Sequence, residues 1–81
     1  MAERNIHLKL YTQPNCGLCE DAKRQLAFVD GSFTYEEIDI TQDDELLMTY
    51  QLRVPVLVYQ DQVIQEGHID FITVNDNLAQ L

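Results

Sequence analysis

An alternating stretch, Ile6-His7-Leu8-Lys9-Leu10-Tyr11, stops at Pro14 and gives way to a helical period whose opening turn carries Cys16 and Cys19. Few folds accommodate that junction. The period of two demands a strand with one strongly apolar face. Leu18, Ala22, Leu26 and Val29 then recur at helical spacing, and Gly31 stands where a C-cap glycine would close the helix. Strand and helix therefore meet at a C-x-x-C pair.

Phe33 to Ile40, with Tyr35, Ile38 and Ile40 among acidic residues, reads as a second strand. A strand, helix and strand in this length form a right-handed βαβ unit, so the two strands should pair in parallel. Thr41-Gln42-Asp43-Asp44 offers an N-cap hydroxyl with a carboxylate three residues on, and a short helix through Leu46, Leu47 and Tyr50 should follow. Val54 to Tyr59 is a buried-strand signal. Gln62-Val63-Ile64 returns antiparallel after the Gln60-Asp61 turn. Past Gly67, the spacing of Phe71, Val74, Leu78 and Leu81 predicts a last helix. Its β-branched Ile72, Thr73 and Val74 make it dependent on packing. The class is α/β, in the order βαβ-α-ββ-α around a four-stranded mixed sheet.

A chain of 81 residues suits one small domain, residues 1–81, and the apolar runs are too short for a membrane span. The start leads straight into a strand pattern without a signal or transit segment, so a cytoplasmic location is expected. A formal net charge of −9 repels nucleic acid and anionic membrane surfaces and suits a basic or neutral partner; a monomer is expected. Strand alternation sets Glu36 on the face opposite Glu37 and Asp39, which argues against a carboxylate pair and for a solvated strand edge. His68 reads as a solvated turn histidine.

Cys16 and Cys19 are the two cysteines of the chain. Their spacing serves thiol–disulfide exchange, a static disulfide or half of a zinc site. Structural zinc takes four ligands, and His7 and His68 are the nitrogen donors left to supply them. For exchange, Cys16 at the helix start would be the nucleophile and Cys19, one turn in, the resolving thiol. Unpaired N–H groups of Leu18 and Cys19 would stabilise the Cys16 thiolate. Glu20 and Asp21 oppose them, Lys23 and Arg24 offset Glu20, and the expected thiolate is only weakly activated.

The segments Leu10-Tyr11-Thr12-Gln13-Pro14-Asn15-Cys16-Gly17-Leu18-Cys19-Glu20-Asp21-Ala22 and Leu52-Arg53-Val54-Pro55-Val56-Leu57 resemble small bacterial glutaredoxin-like proteins with a C-x-L-C motif. The resemblance spans essentially the whole chain. It implies a minimal thioredoxin fold and a thiol–disulfide oxidoreductase, or electron carrier, that reduces protein or small-molecule disulfides through Cys16 and Cys19. It implies a cis Pro55 facing the pair, with the Val54 N–H and C=O turned outward toward an extended substrate. Substrate contacts would come from Gln13, Arg53, Val54, Pro55 and Gly67.

Several positions depart from the family pattern. Gly17 and Leu18 replace a common proline and tyrosine, and Gln13 stands where a glutathione-binding lysine is frequent. Arg53 could partly replace that lysine as an anion contact. Glu66-Gly67-His68-Ile69-Asp70 keeps one glycine and an acid of the turn after the fourth strand. No bound cofactor or metal is implied. The partners implied are a disulfide-bearing protein or glutathione, with glutathione or a flavoprotein reductase as electron donor. The alternative is a non-catalytic binding or redox-sensing module, including one that joins a metal cluster between two chains.

Overall fold

β1 (Ile6–Thr12) runs through the middle of the molecule, and the other elements are arranged about it. The computed structural model describes residues 6–81, so residues 1–5, part of the expected domain and of the expected leaderless start, lie outside the described residues. After β1 come α1 (Gly17–Leu26), β2 (Phe33–Asp39), a 3-10 turn (Ile40–Gln42), α2 (Asp44–Tyr50), β3 (Val56–Tyr59), β4 (Gln62–Glu66) and α3 (Phe71–Ala79). The sheet order is β2-β1-β3-β4. β2 pairs with β1 in parallel, while β1–β3 and β3–β4 are antiparallel, which is the mixed sheet expected.

Alternation aims Leu8 and Leu10 at one face, where they pack with Ala22 and Leu26 of α1 and Val74 and Leu78 of α3. Tyr11 points to the other face and joins Ile40, Val56 and Val58 beneath Leu46, Leu47 and Tyr50 of α2. The end of β1 is thus buried on both faces, not one, because α2 covers the second. Burial pushes the Tyr11 phenol above its usual 10.0, with Tyr50, stacked on it at 4.5 Å, adding to the shift.

Three local expectations are corrected. Leu18 is 49% exposed, and the buried stripe of α1 is Cys19, Ala22 and Leu26. Leu18 stands one residue, about 100° of helix, off that stripe. The helix closes at Ala27, whose N–H donates to the Arg24 carbonyl, and Gly31 (φ 96°) lies in the following loop. At α2 the cap is Asp43, whose Oδ1 accepts the Glu45 and Leu46 N–H groups at 2.9 and 3.3 Å. Thr41 is unavailable as a cap, since its hydroxyl donates to Asp39 Oδ1 at 2.6 Å within the 3-10 turn.

The β3–β4 turn closes without an Asn-Gly pair: Gln60 (φ 47°) and Asp61 (φ 65°) both take the left-handed conformation that two-residue hairpins require. The register then steps from Val58–Val63 to Leu57–Gln65, so Ile64 has no opposite residue and enters the core. α3 compensates for its β-branched residues with a cap. Asp70 accepts the Thr73 N–H at 2.8 Å and the Thr73 hydroxyl at 2.9 Å.

Those two bonds hold the Asp70 carboxyl below its ordinary 3.8, and the bonds from Thr41 do the same for Asp39. A carboxyl lowered on folding contributes stability that is complete above its unfolded value and is lost as pH falls through its folded value. Stability should therefore decline with acid below about pH 4. Asp70→Asn keeps an oxygen for the Thr73 N–H but removes the charge, so its decline should be shallower. Urea midpoints taken from about pH 7 to about pH 2.5 measure this, and equal slopes would refute it.

Candidate functional site

β1 ends at Thr12, and Gln13-Pro14-Asn15 turns the chain into α1, with Asn15 left-handed at φ 59°. Cys16 is the N-cap in extended backbone. Its Sγ accepts the Cys19 N–H at 3.1 Å, as an N-cap oxygen would, and its carbonyl accepts the Glu20 N–H at 3.2 Å. Of the two N–H groups expected at the sulfur, that of Cys19 makes the bond. The two sulfurs are joined in a disulfide, with Cα atoms 5.2 Å apart. Cys16 is half-buried, whereas Cys19 is 1% exposed. An incoming thiol or disulfide can therefore meet only the Cys16 side.

Pro55 is cis and buried. The β1–β3 register pairs Tyr11 with Val56, so one further step sets Pro55 beside Thr12. On the other side of Thr12 the β1–β2 register places Asp39. Asp39, Thr12 and Pro55 form a row across the sheet end from which the Cys16 turn departs.

The remaining residues expected at the site are held by the fold. The Val54 N–H is not turned outward: it donates to the Tyr50 carbonyl at 3.0 Å, which also accepts the Arg53 N–H at 2.8 Å. The cause is the end of α2, whose last carbonyls lack helical partners and take donors from the loop. Arg53 is not a free anion contact either. Its Nε donates to Glu66 Oε2 at 2.7 Å and its guanidinium lies 5.2 Å over the Tyr50 ring. Gly67, left-handed at φ 75°, donates its N–H to the Pro55 carbonyl at 2.8 Å and so anchors the proline turn. Gln13 alone of this group lines the same groove as Cys16.

That groove, of 510 Å³, runs from Thr12 through Cys16 and Gly17 and is walled by Glu20, Glu37 and Asp39. Lys23 is its bordering cation, 2.6 Å from Glu20 and 3.3 Å from Glu37. Hydrogen bonds to Glu20 and then Glu37 raise the Lys23 ammonium above its usual value, so it stays charged. Thr12, 3% exposed, donates its hydroxyl to Glu37 Oε2 at 2.9 Å. Arg24 faces Asp21 at 3.6 Å, so Lys23 offsets Glu20 without it.

Sequence reasoning assigned Glu37 and Asp39 to a solvated edge and missed their place beside Cys16. The signal that could have found them was the parallel β1–β2 register, which seats Asp39 opposite Thr12. His68 is exposed, and among the described residues no three His, Cys, Asp or Glu side chains converge to hold a metal ion. A larger cavity, of 720 Å³, lies between the β3–β4 turn and the end of α3, away from both cysteines.

Residues 7–79 match the family model described as a glutaredoxin-like domain (DUF836). The chain belongs to the glutaredoxin-like family. A curated relative in Dictyostelium discoideum, the glutaredoxin-like protein YDR286C homolog, is 29% identical over 75 residues, covering 83% of this chain and 69% of that protein. The X-ray structure of the structural-genomics target protein XcR50 from X. campestris superposes with a TM-score of 0.77 at 31% identity, covering 91% of this chain and 97% of that one. This glutaredoxin-like chain has the thioredoxin fold, and its bonded cysteine pair fits a redox role. Among the described residues no helix is long and apolar enough to cross a membrane.

Proposed function

We propose that this glutaredoxin-like protein is a cytoplasmic thiol–disulfide oxidoreductase that reduces protein or small-molecule disulfides through Cys16 and Cys19. The observation that carries the reading is the disulfide at the start of α1, with one sulfur reachable and the other buried. In the reduced protein, the Cys16 thiolate attacks a substrate R–S–S–R′. The Cys16–S–R bond forms, the substrate S–S bond breaks, and R′S⁻ leaves and takes a proton. Cys19 then loses its proton and attacks the Cys16 sulfur. The internal disulfide forms and RS⁻ departs, so two electrons pass from protein to substrate. Glutathione or a flavoprotein reductase returns them.

Each part of the site has a task in this cycle. The Cys19 N–H bond at 3.1 Å favours the Cys16 thiolate, and the helix start adds about 0.3–1 kcal/mol. A carboxylate at about 8 Å, in an effective dielectric of about 40, costs roughly 1 kcal/mol. Glu20 and Glu37 are partly offset by Lys23, so the thiolate is only weakly activated. Gln13 lines the path of the substrate, Pro55 stands beside Thr12 at its edge, and Val54 offers its carbonyl, its N–H being occupied. Gly67 anchors Pro55 through its N–H, and Arg53 is held against Glu66 and the Tyr50 ring.

The test is a reduced protein, freed of reductant and mixed with hydroxyethyl disulfide, followed by NADPH consumption with glutathione and its reductase or with a thioredoxin-reductase-type flavoprotein. One equivalent of mercaptan pair per protein and turnover with one of the two donors are expected. A reduced protein that leaves the disulfide intact would end the reading.

A further inference from the structure

Resting on that oxidoreductase reading, we infer that the groove at Cys16 selects its substrates by charge: it takes disulfides with positive charge beside the reacting sulfur and turns away anionic ones such as glutathione disulfide. Carboxylates alone would make no site. Here they wall the groove that Cys16, the reachable cysteine of the pair, itself lines.

The three carboxylates come from separate elements. Glu20 extends from the first turn of α1, its own N–H bonded to the Cys16 carbonyl at 3.2 Å. Glu37 stands on β2, held by the Thr12 hydroxyl at 2.9 Å. Asp39 ends β2 and is fixed by the N–H and hydroxyl of Thr41 at 2.9 and 2.6 Å. These bonds hold Asp39 below its ordinary value, and the charge is present at any physiological pH.

Among the described residues, Lys23 and Arg53, the cations that could receive an anionic substrate, are already engaged. Lys23 is shared between Glu20 and Glu37, and Arg53 is closed on Glu66 and the Tyr50 ring. At Gln13, which lines the groove, a neutral amide offers no charge at all. Three carboxylates against one ammonium leave the groove negative, and the whole chain at −9 extends that field outward. A disulfide whose sulfur is flanked by an amine, or by lysine and arginine side chains, lowers its encounter barrier there. Glutathione disulfide, with carboxylates at both ends, raises it.

The chemistry is unchanged by this selection: the reduced pair gives two electrons to the substrate disulfide, closes its own disulfide and releases two thiols. Only the rate of the first attack depends on charge.

The experiment measures single-turnover oxidation of the fully reduced protein by cystamine and by glutathione disulfide. Two cystine peptides of equal length, one flanked by lysines and one by glutamates, form a second arm. The same four substrates are run on Glu37→Gln/Asp39→Asn, and on the unaltered protein at low salt and at about 1 M salt, where the Debye length is about 3 Å. The cystamine-to-glutathione-disulfide rate ratio should fall roughly tenfold in the double variant and by a similar factor at high salt. A parallel fall in the lysine-to-glutamate peptide ratio extends the selection to basic polypeptides, and a fall for cystamine alone confines it to small amines. Ratios unmoved by salt and by substitution, with all substrates reduced, would overturn the inference and leave the oxidoreductase reading intact. If no substrate is reduced, that underlying reading fails instead. Should the double variant not fold, the salt series decides.

Discussion

Cys16→Ser should abolish disulfide reduction, and Cys19→Ser should leave substrate trapped on Cys16. The two outcomes follow from the different burial of the two sulfurs. Cys19 is 1% exposed on the buried face of α1 and cannot meet a substrate, so no thiol replaces Cys16 once it is gone. A serine hydroxyl at Cys16 does not attack a disulfide, and turnover should fall to the uncatalysed background. In Cys19→Ser the first attack proceeds, but the mixed disulfide has no neighbouring thiolate to resolve it. Intact-mass measurement after reaction with hydroxyethyl disulfide should show one mercaptoethanol adduct on that variant and none on the unaltered protein. Activity that survives Cys16→Ser, or a Cys19→Ser protein that forms no adduct, would contradict this division of labour.

The second large effect is on stability. Leu57 lies in β3 with Leu10 opposite it on β1 and Gln65 opposite it on β4, and its side chain is fully buried among Leu8, Ala22 and Val74. Truncation at such a site removes the transfer energy of the lost methyl groups and leaves a cavity that the sheet cannot collapse into, costing about 2–5 kcal/mol. Domains have about 5–15 kcal/mol in all, and small ones sit toward the lower end. Leu57→Ala should therefore remove a large part of the total, read as a drop in the urea midpoint with little change of slope. Leu52, 95% exposed, is the control: Leu52→Ala should shift stability by less than about 0.5 kcal/mol. A Leu57→Ala protein as stable as the control would mean that Leu57 is not packed in the core between the sheet, α1 and α3.

Leu57 also shows how far pattern carries. Alternation in β1 and the apolar run of β3 identified the strands, because those signals are local in the chain, while the C-x-x-C pair and Val54-Pro55 carried the family resemblance. Where two local signals competed, the pattern misled. Leu18 matched a helical stripe that the structure assigns to Cys19, and Thr41 matched a cap that Asp43 makes. In each case a side chain or hydroxyl was committed elsewhere: Leu18 by the phase of a helix that starts at the Cys16 cap, Thr41 by its bond to Asp39.

By itself the sequence determined the element order and the close cysteine pair that the structure joins in a disulfide, since periodicity and a three-residue spacing are properties of neighbouring residues. Tertiary structure alone decided the surroundings of Cys16. Glu37 and Asp39 reach it only because β2 lies parallel to β1 in a register that sets Thr12 beside Asp39. Val54 and Arg53 lost their expected freedom because the end of α2 and Glu66 of β4 were there to bind them. Pairing between distant segments depends on strand register and on which donors and acceptors remain unmet when the sheet closes. Neither quantity is written in the local order of residues.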